Sequence, residues 1–327
     1  MKRLDVSWYD GSGWTVFLSP LSWLFRLVTA ARRHAYHAGL LKAYRLPVPV
    51  IVVGNITTGG TGKTPLVIWL AQFLKEKGFR PGIVCRGYRG QATAWPQVVN
   101  EGSESRWVGD EAVLLARRTG CTVVAAPDRV TAAQTALDAG CNVIVSDDGL
   151  QHYAMARDIE IVVIDGERRF GNGRLLPAGP LREPVSRLMS VDFVVTNGAA
   201  RDREYPMTVV GEKFRRLGAD AAFQRAEYFQ GRDLHAVAGT GNPGRFFRYL
   251  TSMGLTFVAH PFPDHHCFSA AELRFGRNAV VLMTEKDAVK FPRDLDGEYW
   301  YLPVDAQPDP IFVRELSQRL ASLGKQD

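Results

Sequence analysis

The stretch VPVIVVGNITTGGTGKTPLVIWLAQFLKEKG, residues 48–78, decides the fold of this chain. The apolar run at 48–54 is typical of a strand buried on both faces. Residues 64–78 predict a helix with Pro65 in its first turn and Gly78 as its terminator. A glycine-rich loop between a strand and a helix presents backbone N–H groups and the positive end of the helix dipole to a phosphate.

This loop therefore predicts a nucleoside triphosphate site of the P-loop kind. Lys63 would reach the terminal phosphates, and Thr64 would ligate Mg²⁺. The strict pattern GxxxxGK[ST] requires a glycine where this chain has Thr57. The predicted phosphate-binding residues are Thr57, Thr58, Gly59, Gly60, Thr61, Gly62, Lys63 and Thr64.

Further apolar runs alternate with helical periodicity along the chain. They lie at 82–87, 121–127, 142–148, 159–166 and 191–198. Such runs predict an α/β fold of the P-loop NTPase type, a mainly parallel sheet with helices on both faces, followed by a smaller C-terminal α/β subdomain. The expected parts are an N-terminal amphipathic membrane-interface region at 1–45, a P-loop domain at 46–205, a β-ribbon linker at 206–230 and a C-terminal subdomain at 231–327.

The most apolar segment of the chain is residues 14–30. Pro20 and Arg26 interrupt it, and it falls short of the roughly 20 clean residues that a spanning helix needs. Tryptophan, phenylalanine and leucine followed by the basic run 32–34 are typical of a helix lying in an anionic membrane interface. The alternative is an amphipathic helix packed on the protein's own core.

The overall charge favours an anionic ligand or membrane surface. There are 40 Lys and Arg against 34 Asp and Glu, a net charge of +6. This charge is too small for a nucleic-acid binder, and basic and aromatic residues do not interleave along one element. Cysteines without CxxC spacing indicate reduced thiols of an intracellular protein; they are Cys85, Cys121, Cys141 and Cys267.

A P-loop requires an acidic partner for the metal at the end of a neighbouring strand. The run NVIVSDDG supplies Asp147 and Asp148 there, and we favour this pair. The run IVVIDG offers Asp165 as a competitor, and strand order has to decide between them. Asp165 also fits a strand-end residue that caps the following turn.

Transfer to a hydroxyl requires a proton acceptor and cations around the phosphates. Asp110 and Glu111 open a helical stretch, where they could equally complement the helix dipole. His265 in PDHHC suits proton handling or a local hydrogen bond, and the adjacent residues do not suit a tetrahedral zinc ion. Arg86, Tyr88, the Asp128-Arg129 pair, Arg182 and Glu183 follow strands or lie in Gly/Pro-rich loops, the usual places for ligand contacts.

Taken together, these motifs resemble one family over nearly the whole chain. The ordered set is VGNITTGGTGKTP, CRGYRG, the GDE at 109–111, APDR, SDDGLQH, LLPAGPLREP, GTGNPGRF, FPDHH and TEKDAVK. It is similar to that of tetraacyldisaccharide 4'-kinase, the lipid A 4'-kinase of Gram-negative bacteria. The family loop has the same GGTGKT form, so Thr57 is no objection. The resemblance extends to the apolar N-terminal segment, which in the family associates with the cytoplasmic face of the inner membrane.

The resemblance implies transfer of the γ-phosphate of ATP, with Mg²⁺, to the 4'-hydroxyl of a tetraacyldisaccharide 1-phosphate to give lipid IV-A. Asp110 would be the general base with His265 as its partner, and Lys63 would act on the phosphates. Thr64, Asp147, Asp148 and Glu111 would hold the metal, and Arg86, Tyr88, Arg182 and Glu183 would shape the acceptor site. The expected partners are the lipid acceptor and the inner-membrane surface, with no obligate protein partner. Lys286 and Asp287 match a family segment, but no chemistry is assigned to them.

Two other functions fit part of the sequence. A membrane-recruited switch ATPase would carry a lysine where this loop has Thr58, which counts against it. A kinase or ATP-dependent ligase with a soluble acceptor would give no reason for the apolar N-terminus.

Overall fold

A computed structural model describes residues 4–11, 13–218, 222–291 and 297–323 of the chain. In chain order the strands are β1 (Val50–Gly54), β2 (Pro81–Cys85), β3 (Gln97–Val99), β4 (Thr122–Ala125), β5 (Val143–Asp147), β6 (Ile159–Asp165), β7 (Phe193–Asn197), β8 (Tyr205–Val210), β9 (Phe214–Arg216), β10 (Phe223–Gln224), β11 (Leu234–Ala238), β12 (Val258–Pro261), β13 (Val280–Thr284), β14 (Glu298–Leu302) and β15 (Asp305–Pro308). The α-helices are α1 (Leu4–Ser7), α2 (Ser19–His37), α3 (Lys63–Glu76), α4 (Ser105–Val108), α5 (Asp110–Thr119), α6 (Arg129–Asp138), α7 (Pro243–Ser252), α8 (Glu285–Ala288) and α9 (Pro310–Leu323). Short 3-10 helices lie at Gly13–Leu18, Val185–Ser190 and Ala226–Phe229.

A large sheet forms the first layer, in the order β15-β8-β7-β6-β1-β5-β2-β4-β3. Its strands run parallel except at the two edges, where β15 and β3 are antiparallel to their neighbours. Strands such as VIVVG are buried along their whole length because α3, α5 and α9 cover one face and α6 covers the other. The predicted α/β class with a mainly parallel, doubly covered sheet is confirmed.

Strand β1 lies between β5 and β6. Asp147 ends β5 and Asp165 ends β6, so both carboxylates lie beside the loop that follows β1. Strand order therefore does not distinguish Asp147 from Asp165 as the metal ligand. The side-chain partners of the two carboxylates do distinguish them, as described below.

A small sheet forms the second layer, in the order β10-β9-β14-β13-β11-β12. Strands β14, β13, β11 and β12 are mutually parallel, which gives the predicted smaller α/β unit. The expected linker ribbon divides between the layers, because β8 pairs in the large sheet while β9 and β10 pair in the small one. Strand β15 and helix α9 return to the large sheet, so the end of the predicted 231–327 subdomain packs there. The domain boundaries themselves stay a prediction, and residues 219–221 of the predicted ribbon lie outside the described residues.

The N-terminal helix α2 carries an exposed apolar surface. Within the described residues, 13–37 is the one helical segment long and apolar enough to cross a membrane by length and composition, although Pro20 and Arg26 interrupt it. The exposed side chains include Trp23, at 62% exposure, and Leu27, at 65%. The partly buried Phe25 is the apolar side chain of α2 that packs against the core of the large sheet, so the alternative of a helix buried on its own core does not describe α2.

Candidate functional site

A cavity of about 870 Å³ opens between the two sheets. The carboxyl ends of β1, β2 and β5 face it from the large sheet, and those of β11, β12 and β13 lead into loops that face it from the small sheet. Loops at the carboxyl ends of parallel strands are where α/β proteins bind their ligands. Residues from both sheets therefore line this one cavity.

The glycine-rich loop lies at the floor of the cavity, with residues 58–65 in its lining. Gly62 precedes α3 with φ 100°, and a Cβ there would lie 2.6 Å from the Asn197 side-chain nitrogen. Only glycine fits this position, which brings the helix N-terminus to the cavity wall. Thr57 is buried behind the loop and pairs with Leu181, so it does not line the cavity.

Asp147 and Asp148 both line the cavity but have different partners. The Arg182 guanidinium donates to both carboxylate oxygens of Asp148, at 3.0 and 2.8 Å, and Lys63 Nζ lies 3.4 Å away. Burial alone raises the pKa of Asp148, but Lys63 and Arg182 outweigh burial and hold the pKa well below its usual range. Asp147 has an oxygen, Oδ1, with no hydrogen-bond partner among the described residues. Burial and the Glu111 carboxylate raise the pKa of Asp147 to about 7.

Asp165 is occupied by other groups. Its carboxylate accepts from the backbone N–H groups of Glu167 and Arg168, as the turn-capping alternative expects. It also accepts from the Arg168 Nε at 2.8 Å and from Arg245. These partners leave Asp147, whose Oδ1 has no partner among the described residues, as the better candidate for a metal ligand.

The residues around Asp147 suit Mg²⁺. Among the described residues no group of three or more His, Cys, Asp or Glu side chains forms a metal cage by itself. Mg²⁺ does not require one, because it typically takes one or two carboxylates together with phosphate oxygens and waters. Asp147, whose buried Oδ1 has no partner within the described part of the chain, and Thr64 both line the cavity, and their side chains carry oxygen ligands of this hard type.

His265 and Asp110 form a pair across the two sheets. The His265 Nδ1 lies 2.9 Å from Asp110 Oδ2 and 3.1 Å from Oδ1. Burial alone raises the pKa of Asp110, but the hydrogen bond from His265 and the charges of Lys286 and His265 lower it to about 2. An ionised carboxylate only accepts, so His265 Nδ1 carries the proton of this hydrogen bond. His265 lines the cavity, whereas Asp110 is buried behind it.

Lys286 completes this cluster. Its Nζ donates to Glu111 Oε1 at 2.9 Å and lies 3.4 Å from both Asp264 Oδ1 and His265 Nε2. Burial alone lowers the pKa of Lys286, but the carboxylates of Glu111, Asp110 and Asp264 raise it above its usual range. The lysine is therefore a fixed cation beside His265, and Glu111 has this cation as its partner.

The four predicted acceptor-site residues line the same cavity. Arg86 and Tyr88 are exposed at its wall, and the Tyr88 ring lies 5.0 Å from the His265 ring. Arg182 binds Asp148, as described above. Glu183 is buried and accepts from Gln151 at 2.7 Å and from the Tyr153 hydroxyl at 2.6 Å. Arg182 and Glu183 therefore support the site by holding other side chains in position.

The N-terminal helix also borders the cavity, through Phe25, Thr29 and Arg32. Their neighbours across the cavity wall include Gln151 and Tyr153, which follow the Asp147-Asp148 pair in the chain. One end of the cavity thus adjoins the exposed apolar surface of α2. The cavity and that surface are continuous.

Several lining residues were not predicted as site residues from the sequence. They are Phe25, Thr29 and Arg32 of α2, Gln151 and Tyr153, Gly241, Arg245 and Lys286. For Lys286 and Gly241 the available signal was their position in TEKDAVK and GTGNPGRF, each directly after a strand of the small sheet. For α2 the sequence offered no signal, because its contact with the cavity depends on tertiary packing.

The chain is similar to known proteins over almost its full length. A family model described as Tetraacyldisaccharide-1-P 4'-kinase matches residues 14–321. The tetraacyldisaccharide 4'-kinase of Nitrosococcus oceani is 51% identical over 97% of this chain and 94% of that protein. The enzyme of the same name from Methylobacillus flagellatus is 48% identical over 98% of this chain and 97% of that protein. The crystal structure of LpxK from Aquifex aeolicus in complex with ATP superposes with a TM-score of 0.78 at 28% identity, over 94% of this chain and 98% of that chain.

Proposed function

The chain belongs to the tetraacyldisaccharide-1-P 4'-kinase family, and on this premise we propose how its site carries out the reaction. It is a kinase of lipid A biosynthesis that transfers phosphate from ATP to the 4'-hydroxyl of a tetraacyldisaccharide 1-phosphate, giving lipid IV-A. The observation that carries the proposal is that a phosphate-binding loop and His265, which is paired with the buried Asp110, line one cavity.

ATP is the phosphate donor in this proposal. The loop residues 58–64 would hold its phosphates through backbone N–H groups, and Lys63 would contact the terminal phosphates. Mg²⁺ would be held by Thr64 and Asp147, where it would neutralise charge on the phosphates. The Lys63 and Arg182 contacts keep Asp148 ionised, so its charge would support the metal site.

The Asp110–His265 pair would take the proton of the sugar hydroxyl. A free hydroxyl is a poor nucleophile at neutral pH, so positioning and proton removal have to supplement charge stabilisation. Asp110 is the ionised member of the pair, and His265 is the member that lines the cavity, where the hydroxyl would bind. Lys286 would stabilise negative charge on the oxygen that enters or leaves beside His265.

The acceptor would enter from the side of α2. Its acyl chains suit the exposed apolar surface of that helix, and its 1-phosphate suits the cavity arginines Arg32 and Arg86. We accordingly propose peripheral attachment to the cytoplasmic face of the bacterial inner membrane, where ATP is available. A spanning orientation of α2 is the alternative, and it would leave the basic residues Arg26 and Arg32 within the bilayer.

The test is product analysis after incubation with Mg²⁺-ATP and a tetraacyldisaccharide 1-phosphate in detergent. The proposal expects the lipid to gain the mass of one phosphate, located at the 4' position. A switch ATPase would instead release inorganic phosphate in a manner stimulated by vesicles, with the lipid unchanged, and that outcome would refute the proposal.

A further inference from the structure

The Arg168 side chain joins the phosphate-binding loop to the small sheet. Its Nη2 donates to the Gly60 carbonyl at 2.7 Å, and its Nη1 donates to the Gly241 carbonyl at 2.8 Å. Its Nε donates to the buried carboxylate of Asp165 at 2.8 Å. The guanidinium is planar and rigid, so three occupied nitrogens fix the separation of the two carbonyls.

The two joined loops are in direct backbone contact. A Cβ on Gly241 would lie 2.4 Å from the backbone nitrogen of Gly60 and 2.9 Å from the Cα of Gly59. The same carboxylate that holds Arg168 also accepts from Arg245 of α7, next to this contact. The loop after β11 is therefore pressed on the phosphate-binding loop and held there by Arg168 and Asp165.

The bond to Gly60 has a consequence for phosphate binding. The Gly60 carbonyl and the Thr61 N–H belong to one planar trans peptide unit and point in opposite directions. Because Arg168 binds the Gly60 carbonyl, the Thr61 N–H of the same peptide unit points away from Arg168. Backbone N–H groups of this loop are the donors that a bound phosphate requires.

The N-terminal segment holds Arg168 from its other face. The Arg168 Cζ lies 5.2 Å from the centroid of the Tyr9 ring, the geometry of a cation–π contact. Trp8 fixes the position of this ring, because its indole nitrogen donates to the Pro177 carbonyl at 3.1 Å and its carbonyl accepts from Asn172 at 2.9 Å.

From this geometry we infer that Arg168 is a positioning residue of phosphoryl transfer, which sets the phosphate-binding loop through Gly60 and is itself held in place by Tyr9. The inference rests on the proposed function, because it assigns a role within that reaction. Arg168 does not act on the reacting atoms; it sets the loop that binds them.

A purely structural ion pair would behave differently, and the chain provides one for comparison. Arg248 of α7 pairs with Glu167, the residue next to Arg168, with both side chains more than half exposed, and so links α7 to the segment after β6. Exposed pairs of this kind contribute little to stability. Arg248→Met is therefore the matched control for Arg168→Met.

The experiment measures kcat, the KM for ATP and the calorimetric Kd for Mg²⁺-ATP in Arg168→Met, Arg168→Lys and Arg248→Met. We expect Arg168→Met to lower kcat/KM by at least about tenfold and to weaken the Kd, with Arg248→Met within about twofold of wild type. Lysine, which cannot hold both carbonyls and Asp165 at once, should give an intermediate loss. Values for Arg168→Met equal to those for Arg248→Met would overturn the inference.

A second pair of variants covers the case in which Arg168→Met does not fold. Tyr9→Phe keeps the ring and should match wild type within about twofold, whereas Tyr9→Leu removes the ring and should weaken the Kd for Mg²⁺-ATP by about threefold or more. Equal Kd values for these two variants would show that Tyr9 does not hold Arg168 in place. A wild-type protein that binds Mg²⁺-ATP without labelling the lipid would refute the proposed function, and the Kd comparisons would still decide the role of Arg168.

Discussion

The Nδ1 atom of His265 lies 2.9 Å from Oδ2 of Asp110, although the two residues are 155 positions apart in the chain. Asp110 begins α5 on the large sheet, and His265 follows β12 of the small sheet. The pair exists only while the two sheets face each other across the cavity. If the pair takes the proton as proposed, proton transfer depends on the relative position of the two layers.

The Asp110 carboxylate should make stability depend on pH. Burial opposes its ionisation, but His265 and Lys286 hold its pKa at about 2, below the usual value of 3.8. A lowered pKa contributes stability that is present above pH 3.8 and is lost as the pH falls through about 2. The shift corresponds to about 2 kcal/mol at neutral pH. Urea unfolding should show Asp110→Asn less stable than wild type at pH 6, with the difference shrinking below pH 4.

Asp202→Asn, which changes an exposed carboxylate, is the control for that series and should leave the free energy of unfolding unchanged. A constant difference between Asp110→Asn and wild type from pH 6 down to pH 2 would contradict the lowered pKa.

Replacing Lys63 should impair both ATP affinity and turnover. Its Nζ lies 3.4 Å from Asp148 at the cavity floor, so Lys63→Ala would remove the proposed phosphate contact and one of the two cations that pair with the Asp148 carboxylate. The loss in kcat/KM should be about 100-fold, the scale of a charge-assisted contact. Steady-state kinetics and calorimetry measure it. Lys77→Ala, at the other end of α3, should resemble wild type, and an unchanged Lys63→Ala enzyme would refute the phosphate-loop assignment.

A methyl group at Gly241 should separate the two loops. The added Cβ would meet the Gly60 backbone at 2.4 Å, and the backbone at that point has no flexible side chain to move aside. Gly241→Ala should therefore raise the KM for ATP by at least about tenfold. Gly244→Ala, three residues later in the first turn of α7, would meet side-chain atoms and no backbone, Arg248 Nη1 at 3.1 Å and Asn242 Oδ1 at 3.8 Å, and should keep the wild-type KM. Equal KM values for the two variants would show that the loop contact is dispensable.

Removing apolar side chains from α2 should weaken membrane binding. Trp23 and Leu27 are more than half exposed, and burying each in a bilayer interface would contribute about 1.5 to 3 kcal/mol. The double variant Trp23→Ala/Leu27→Ala should lower partitioning into anionic vesicles by at least about tenfold in a sedimentation assay. Ile311→Ala, an exposed apolar residue on α9 beyond the opposite face of the large sheet, is the control. Unchanged partitioning of the double variant would exclude α2 as the membrane contact.

The sequence predicted the large parallel sheet, the P-loop and the family, because apolar runs and glycine spacing are local signals. It favoured Asp147 over Asp165 as the metal ligand without a decisive signal, since both end strands beside β1 and the arginines on Asp165 distinguish them only in the fold. It also missed Lys286, Gly241 and the α2 residues in the cavity wall. Those positions follow from how the two sheets and the N-terminus pack, which no periodicity within one segment records.

The return of β15 and α9 to the large sheet was likewise missed. These elements follow the small sheet in the chain, so the order of segments placed them with it. The side chains of Phe312 and Leu316 are buried against α3 and the large sheet. An amphipathic pattern predicts that one face of a helix is buried, but it does not predict which sheet the helix packs on.

The measurement that tests the account most directly is transfer of label from γ-labelled ATP to a tetraacyldisaccharide 1-phosphate by wild type, Asp110→Ala, His265→Ala and the double variant. Because the two residues act as one pair, we expect Asp110→Ala to lower kcat by about 10² to 10⁴-fold with ATP binding largely intact. The double variant should be no worse than the more impaired single variant. Near-normal turnover by Asp110→Ala, or losses that multiply in the double variant, would contradict the pair as the proton acceptor.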